Sequence, residues 1–483
     1  MSNKNRSLNN LFRKKPIDDL VKEASSSGGL VRNLGAFQLV LLGIGAIIGG
    51  GVFVFTGTAA ALHAGPAVTL SFALCGFICI CAGLCYAEFA SMLPVAGSSY
   101  TYAYATLGEF PAWLIGCSMV LAYFLAAASV ANGWSSYFVG LLEYYDIYLP
   151  ARWVHVTGEE IQQANGEVTY ALFNLPAFLI SSITMLVLYR GTRESAVINA
   201  IMVTIKMVVL FAFIFVGLTK IDFSNWVPFI PENNGKFGEF GVSGIVSGAS
   251  ILFLAFNGFD SVCTAAQETK NPQKNLPIGI IGAILVSTIT YVLVGALLTG
   301  VVNYTELNTA QPIAIAAQKM GIPIFTILVK FGAVAAIASV VLVHQYAIIR
   351  MLYSMTKDGF LPSVFNKIHK KFHTPYISTV LIGLSMGVIS ATITLEKMVK
   401  MSTFFVLITI AVICFSTVYL RYKQPNLPRK FRCPFVPWVP IAAILAVLQI
   451  LSSYSSAILL YAAMCLFAST LLYFYMSSRK IDF

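Results

Sequence analysis

Residues 43–53 read Gly-Ile-Gly-Ala-Ile-Ile-Gly-Gly-Gly-Val-Phe and sit inside an apolar run long enough to cross a membrane. Gly49, Gly50 and Gly51 together cost about 3 kcal/mol of helix propensity relative to alanine, so the helix is expected to unwind there. Non-helical backbone at membrane depth is tolerated only where protein or a watery cavity satisfies its N–H and C=O groups, which makes the break a candidate binding site. The restarting half presents N–H groups of Gly50 and Gly51 and a positive dipole end, worth about 0.3–2 kcal/mol toward an anion. A second break stands at Phe256-Asn257-Gly258-Phe259-Asp260. There the carbonyls of Leu254, Ala255 and Asn257 end a half-helix, and with Ile47 they can hold an ammonium. An anion site and an ammonium site at fixed separation suit a free amino acid.

Lys206, in Val-Thr-Ile-Lys-Met-Val-Val-Leu, costs about 2.5–3.5 kcal/mol at mid-membrane on insertion scales. Such a lysine can load and release a proton as access alternates; the plainer alternative is a snorkelling or structural lysine. Asp260 is expected to cap or orient the restarting half-helix, with proton handling or substrate contact as the alternative. His344 reads as a core histidine, or, if it reaches the pocket, as a group that makes recognition pH dependent. Glu88 and Glu268 fall near cytoplasmic ends, as gate contacts or as solvated interfacial charges. Gly45-x-x-x-Gly49 also fits a close helix contact, while Gly43-x-Gly45 lacks the third glycine and the preceding strand of a nucleotide loop. Cys75, Cys79, Cys81 and Cys85 share one apolar helix with no histidine at ligand spacing, which fits packing better than zinc. No paired carboxylates and no nucleophile with a base at helical spacing are found. The residues require no cofactor or metal, and an enzyme is not expected.

These groups need elements to position them. With 58% hydrophobic and 11% charged residues and a mean hydropathy of +0.79, the chain reads as an integral membrane protein. Its +11 net charge follows from the excess of Lys and Arg on cytoplasmic loops, and no basic stripe with stacking aromatics points to nucleic acid. Apolar segments at 36–62, 67–92, 110–140, 172–190, 195–219, 243–267, 277–302, 323–355, 376–394, 400–421, 437–452 and 455–476 give twelve expected spans. Lys270 and Lys274, Lys367 to Lys371, and Arg429 to Arg432 fall on one side. The loop at 141–171 on the other side is acidic through Glu143, Asp146, Glu159, Glu160 and Glu167. Both termini are therefore expected in the cytoplasm, with residues 1–33 a mobile tail and 477–483 a short one. Breaks five spans apart point to two related halves, about 36–219 and 243–421, with two helices appended at about 437–476.

The sequence also resembles the amino acid–polyamine–organocation permeases, within them the cationic amino acid transporter branch. The resemblance rests on the first-span glycine stretch, on Cys85 through Glu109, on Gly258 through Glu268 with Asn271-Pro272, and on Arg350 through Pro362. It implies an all-α membrane protein of twelve transmembrane helices with a LeuT-like 5+5 inverted repeat. It further implies amino acid transport by alternating access in the plasma or inner membrane. Substrate backbone contacts are implied at Ile47, Gly50, Gly51, Leu254, Ala255 and Asn257. The matching lysine of relatives stands in the place of a sodium ion, which implies proton coupling through Lys206. Departures from the branch are Ala122, where a glutamate is frequent, Gly50, Asn257 and His344. They point from a cationic toward a small neutral or polar substrate. The alternatives are an exchanger and a non-transporting nutrient receptor on the same fold.

Overall fold

Helix is the fold that satisfies every backbone group of an apolar run without outside partners. The computed structural model describes residues 11–17, 34–95, 97–162, 168–372, 374–452, 454 and 456–478, and these are mostly helical. The long elements are α1 (Ala36–Ile47), α2 (Val68–Met92), α3 (Ser98–Thr106), α4 (Glu109–Tyr144), α5 (Leu175–Arg190), α6 (Thr192–Leu218) and α7 (Gly241–Leu252). They continue with α8 (Pro272–Val301), α9 (Pro312–Lys319), α10 (Pro323–Lys357), α11 (Tyr376–Thr392), α12 (Leu395–Lys423), α13 (Trp438–Ser452) and α14 (Ser456–Ser478).

Prolines in the first turn open α5, α8, α9 and α10, where the missing N–H costs nothing. At α5 the Asn174 side chain also accepts from Ala177 N at 3.1 Å, an N-cap worth about 1 kcal/mol. Among the described residues eight stretches are long and apolar enough to cross a membrane, and α5, α11 and α13 are shorter apolar helices. The first stretch, Ala36–Met92, is 57 residues long. It is interrupted at Gly65, whose φ of +60° suits glycine.

The helices α2, α4, α8, α10 and α12 form the middle: α8 lies along α2 and α1, while α10 and α12 lie along α4. The outermost helix, α14, leaves Phe467, Leu471 and Phe474 exposed, as acyl chains require. Four elements depart from the expected pattern. Helices α3 and α9 lie in connections read as loops, and β1 (Glu160–Gln162) pairs antiparallel with β2 (Val168–Tyr170) in the acidic loop.

Most of the expected tails at 1–33 and 477–483 lies outside the described residues. Residues 11–17 correct the reading of a mobile tail, because they are docked. Lys15 Nζ reaches Asp358 Oδ1 at 2.6 Å, Tyr100 donates to Asp358 Oδ2 at 2.8 Å, and Phe110 N donates to Leu11 O at 2.8 Å. The polar composition that suggests solvation also supplies these partners.

Candidate functional site

The first break follows α1 directly. Ile48 is extended, with φ −78° and ψ 110°; Phe53 N then donates to Gly49 O at 3.2 Å, and the chain restarts in a wide π-type turn over Gly51–Phe55. The second break follows α7: a 3₁₀ turn over Phe253–Phe256 leads to extended Asn257, and helix resumes at Ser261–Thr264. Gly258, at φ +103°, is the joint, and a Cβ there would fall 2.9 Å from Ala46 Cβ and 3.2 Å from His344 Cε1. Left-handed backbone and close approach both demand glycine.

The two breaks meet. A Cβ on Gly51 would lie 2.2 Å from Ala255 Cβ and 2.4 Å from its Cα, and one on Gly50 would lie 3.2 Å from Val130 Cγ2. Together they wall a small cavity that gives about 10 Å³ to the centres of water molecules. Ile47, Gly50, Gly51, Leu254, Asn257 and His344 line it, joined by Ala126, Val130 and Val340. Ala126 and Val130, like Val340 and His344, are four apart and so share one helix face. Outward of the cavity, Tyr137 OH donates to Phe53 O at 2.6 Å.

Three of the four carbonyls expected to hold an ammonium, those of Ile47, Leu254 and Ala255, are engaged. Leu254 O accepts from Asn257 N at 3.0 Å. Ile47 O and Ala255 O lie 2.8 and 2.9 Å from the hydroxyl of Tyr291 on α8, whose single proton must be shared between them. Tyr291 thus ties the two breaks, and one aromatic in a long apolar run carries no sequence signal of that task. Ala255 sits behind the wall, packed on Gly51. Ala122 also lies outside the wall, its carbonyl accepting from Ser402 Oγ at 2.8 Å. Ser402 Oγ stands 3.4 Å from Asn257 Nδ2. Asn257 Oδ1 is buried with no partner among the described residues.

Asp260 corrects the expectation of a side-chain cap. Its backbone is already helical and its side chain makes no capping bond; its carbonyl accepts from Cys263 N at 2.9 Å and from Ser98 Oγ at 3.3 Å. The carboxyl is buried beside Tyr123 and Ser99 instead. His344 Nδ1 lies 2.9 Å from Val340 O and is therefore the protonated nitrogen of the neutral ring. Its Nε2 is buried without a partner among the described residues, and the ring meets Tyr123 edge-on at 5.1 Å.

Lys206 is fully buried. Its Nζ lies 3.0 Å from Ile44 O, 3.2 Å from Gly45 O and 2.7 Å from Ile48 O, with Ser339 Oγ at 2.9 Å. These carbonyls belong to the end of α1, the negative pole of that half-helix. The ammonium therefore holds the first break from below, and Ser339, absent from the sequence reading, completes its surroundings.

Glu88 and Glu268, the carboxylates read as lying near span ends, are paired. Glu268 binds Arg350 at 2.6 Å and Tyr346 at 3.0 Å. Glu88, 2% exposed, takes Arg421 in two bonds of 2.8 and 2.6 Å and Arg429 at 3.0 Å. Breaking a buried pair costs about 3–5 kcal/mol, so Glu88→Ala is expected to lower the melting temperature of the purified protein by several degrees. A melting curve superimposed on that of the unaltered protein would mean that both arginines are solvated. Among the described residues no three His, Cys, Asp or Glu side chains gather to hold a metal ion.

A family model described as amino acid permease matches residues 34–478. A methylthioribose transporter of Bacillus subtilis is 41% identical over 430 residues, 89% of this chain and 90% of that protein. A branched-chain amino acid permease of the same organism is 42% identical over 88% of this chain and 89% of its own length. A chloroplastic cationic amino acid transporter of Arabidopsis thaliana is 38% identical over 73% of this chain and 60% of its own.

Proposed function

We propose that this chain, which belongs to the amino acid permease family, imports a small neutral amino acid together with a proton. Its membership makes it a membrane-embedded transporter of amino acids, not an enzyme, and it resembles the cationic amino acid transporter branch. The observation that carries the coupling reading is the Lys206 ammonium on the carbonyls of Ile44, Gly45 and Ile48, directly beneath the cavity. Losing its proton weakens the hold on the first break, which links protonation to access.

The amino acid is held by its backbone between the glycines of the first break and the end of α7. Its ammonium takes over the carbonyl of Ile47, on the cavity wall, as the Tyr291 hydroxyl withdraws. Its side chain points toward Ala126, Val130, Asn257 and His344. No carboxylate lines that wall, and an uncompensated charge in a desolvated pocket costs several kcal/mol. Two of the relatives are named for branched-chain amino acids and for methylthioribose, and neither solute carries a cationic side chain.

We take the 57-residue stretch as two crossings and α5, α11 and α13 as one each, which gives twelve spans. They are arranged as a LeuT-like 5+5 inverted repeat plus α13 and α14, in the plasma or inner membrane with both termini cytoplasmic. The test is uptake of labelled alanine or leucine into proteoliposomes at pH 6. Saturable uptake that a protonophore collapses, and that arginine and lysine fail to compete, is the expected result. Uptake indifferent to the protonophore and dependent on internal amino acid would make the protein an exchanger. Stronger competition by arginine and lysine than by neutral amino acids would restore the cationic preference.

A further inference from the structure

A second cavity opens beneath the first break, between α1, the first turns of α6, and α10. Gln38, Ser195, Asn199, Glu268 and Tyr346 set polar groups on a wall otherwise of leucine, valine and alanine. It gives about 90 Å³ to the centres of water molecules, where about 10–15 Å³ holds one. Asn199 is 4% exposed and lies against Gly45: a Cβ at position 45 would fall 2.8 Å from both Oδ1 and Nδ2. Its Oδ1 is buried with no partner among the described residues, although most buried side-chain polar atoms are paired. The carbonyl of the same Gly45 receives Lys206 Nζ, and Lys206 stands about two turns beyond Asn199 on α6. Glu268, held by Arg350 and Tyr346, is also on the cavity wall.

We infer that this cavity is the route by which the Lys206 proton reaches the cytoplasm, and that Asn199 is the positioning residue at its inner end. The inference rests on the coupling reading above. In the step, an N–H bond of the Lys206 ammonium breaks and an O–H bond forms on a water held by Asn199 Oδ1. The neutral amine stays behind, and the proton leaves along the cavity as hydronium. The titratable or charged groups facing this path are Lys206 on the same helix, Glu268 after the second break, and Tyr346 and Arg350 on α10; α1 contributes only the neutral Gln38. An apolar side chain at 199 removes Oδ1, the buried acceptor without a partner among the described residues that lies against Gly45.

The experiment compares unaltered protein, Asn199→Leu, Asn199→Ser and Lys206→Ala in proteoliposomes, reading net uptake driven by a proton gradient and counterflow of alanine at equal pH. A positioned proton-transfer group contributes about 10²–10⁴-fold, so Asn199→Leu is expected to lower net uptake at least about tenfold. Counterflow should be unchanged, and Asn199→Ser should restore much of the drive. Net uptake should also lose its dependence on internal pH. If Asn199→Leu gives no folded protein, Ala200→Leu, which fills the cavity from the next position, should show the same split. Equal losses of net uptake and counterflow would make the cavity the passage of the solute, and no loss in either would remove Asn199 from the path; both overturn the inference. Lys206→Ala separates the two levels. If it loses proton drive while Asn199→Leu keeps it, only the route fails; if it keeps proton drive, the coupling reading fails as well.

Discussion

Lys206→Ala is expected to abolish proton-driven accumulation and leave exchange. One co-transported proton carries one charge, worth about 2.3 kcal/mol per 100 mV, which is roughly a fifty-fold gradient. In proteoliposomes under 100 mV, negative inside, the unaltered protein should approach that ratio, and the variant should settle near equal concentrations and ignore a protonophore. The substitution also removes the donor shared by the carbonyls of Ile44, Gly45 and Ile48; Ile44 O keeps Ile48 N and Gly45 O keeps Ser339 Oγ, so the loss falls mainly on Ile48 O, and a buried unsatisfied group costs about 1–3 kcal/mol. Lys206→Gln separates the two effects, because its amide can still donate but carries no titrating proton. It should lose the drive as fully as alanine and lose less thermal stability. Accumulation that survives in both variants would assign the coupling elsewhere, with Asp260, buried beside Tyr123 and Ser99, the next residue to test.

Gly51→Val is expected to abolish solute binding. The added Cβ would fall 2.2 Å from Ala255 Cβ and 2.4 Å from Ala255 Cα, closer than the 3.0 Å that real Cβ atoms keep. The second contact is backbone and cannot turn aside. The two broken helices must therefore separate, which pulls Ile47 and Ala255 away from their common Tyr291 hydroxyl. Overpacking of this kind costs about 1–3 kcal/mol, enough to distort the cavity while the membrane-spanning helices still form. Gly50→Ala is the comparison: its Cβ would meet only Val130 Cγ2, at 3.2 Å, so it should narrow the cavity and favour smaller amino acids. Thermal stabilisation of the purified protein by alanine and by leucine reads both variants. Gly51→Val that is stabilised as strongly as the unaltered protein would move the site away from this contact.

The positions of the breaks were legible in the chain because their signals are local. Consecutive glycines at 49–51 and Asn257-Gly258 disfavour helix whatever surrounds them, and an apolar run can cross lipid only as helix. Lys206 announced itself for the same reason: a charge amid Ile205, Met207 and Val208 needs partners, and the run itself has none. Which partners it takes, and what each helix turns toward the breaks, depends on rotations between helices far apart in sequence. Ala122 and Ala126 lie on one face of α4, but only packing against α10 and α12 puts Ala126 and Val130 at the cavity and Ala122 beside Ser402. Tyr291 is one aromatic among many until α8 lies along α1 and brings its hydroxyl between Ile47 O and Ala255 O. The sequence by itself determined where the backbone must open and where a charge must be compensated, since propensity and desolvation act residue by residue. Only the tertiary structure decided which carbonyls are taken, which side chains bound the cavity and that Asn199, on the wall of the second cavity, lies against Gly45, because those follow from contacts that no local pattern encodes.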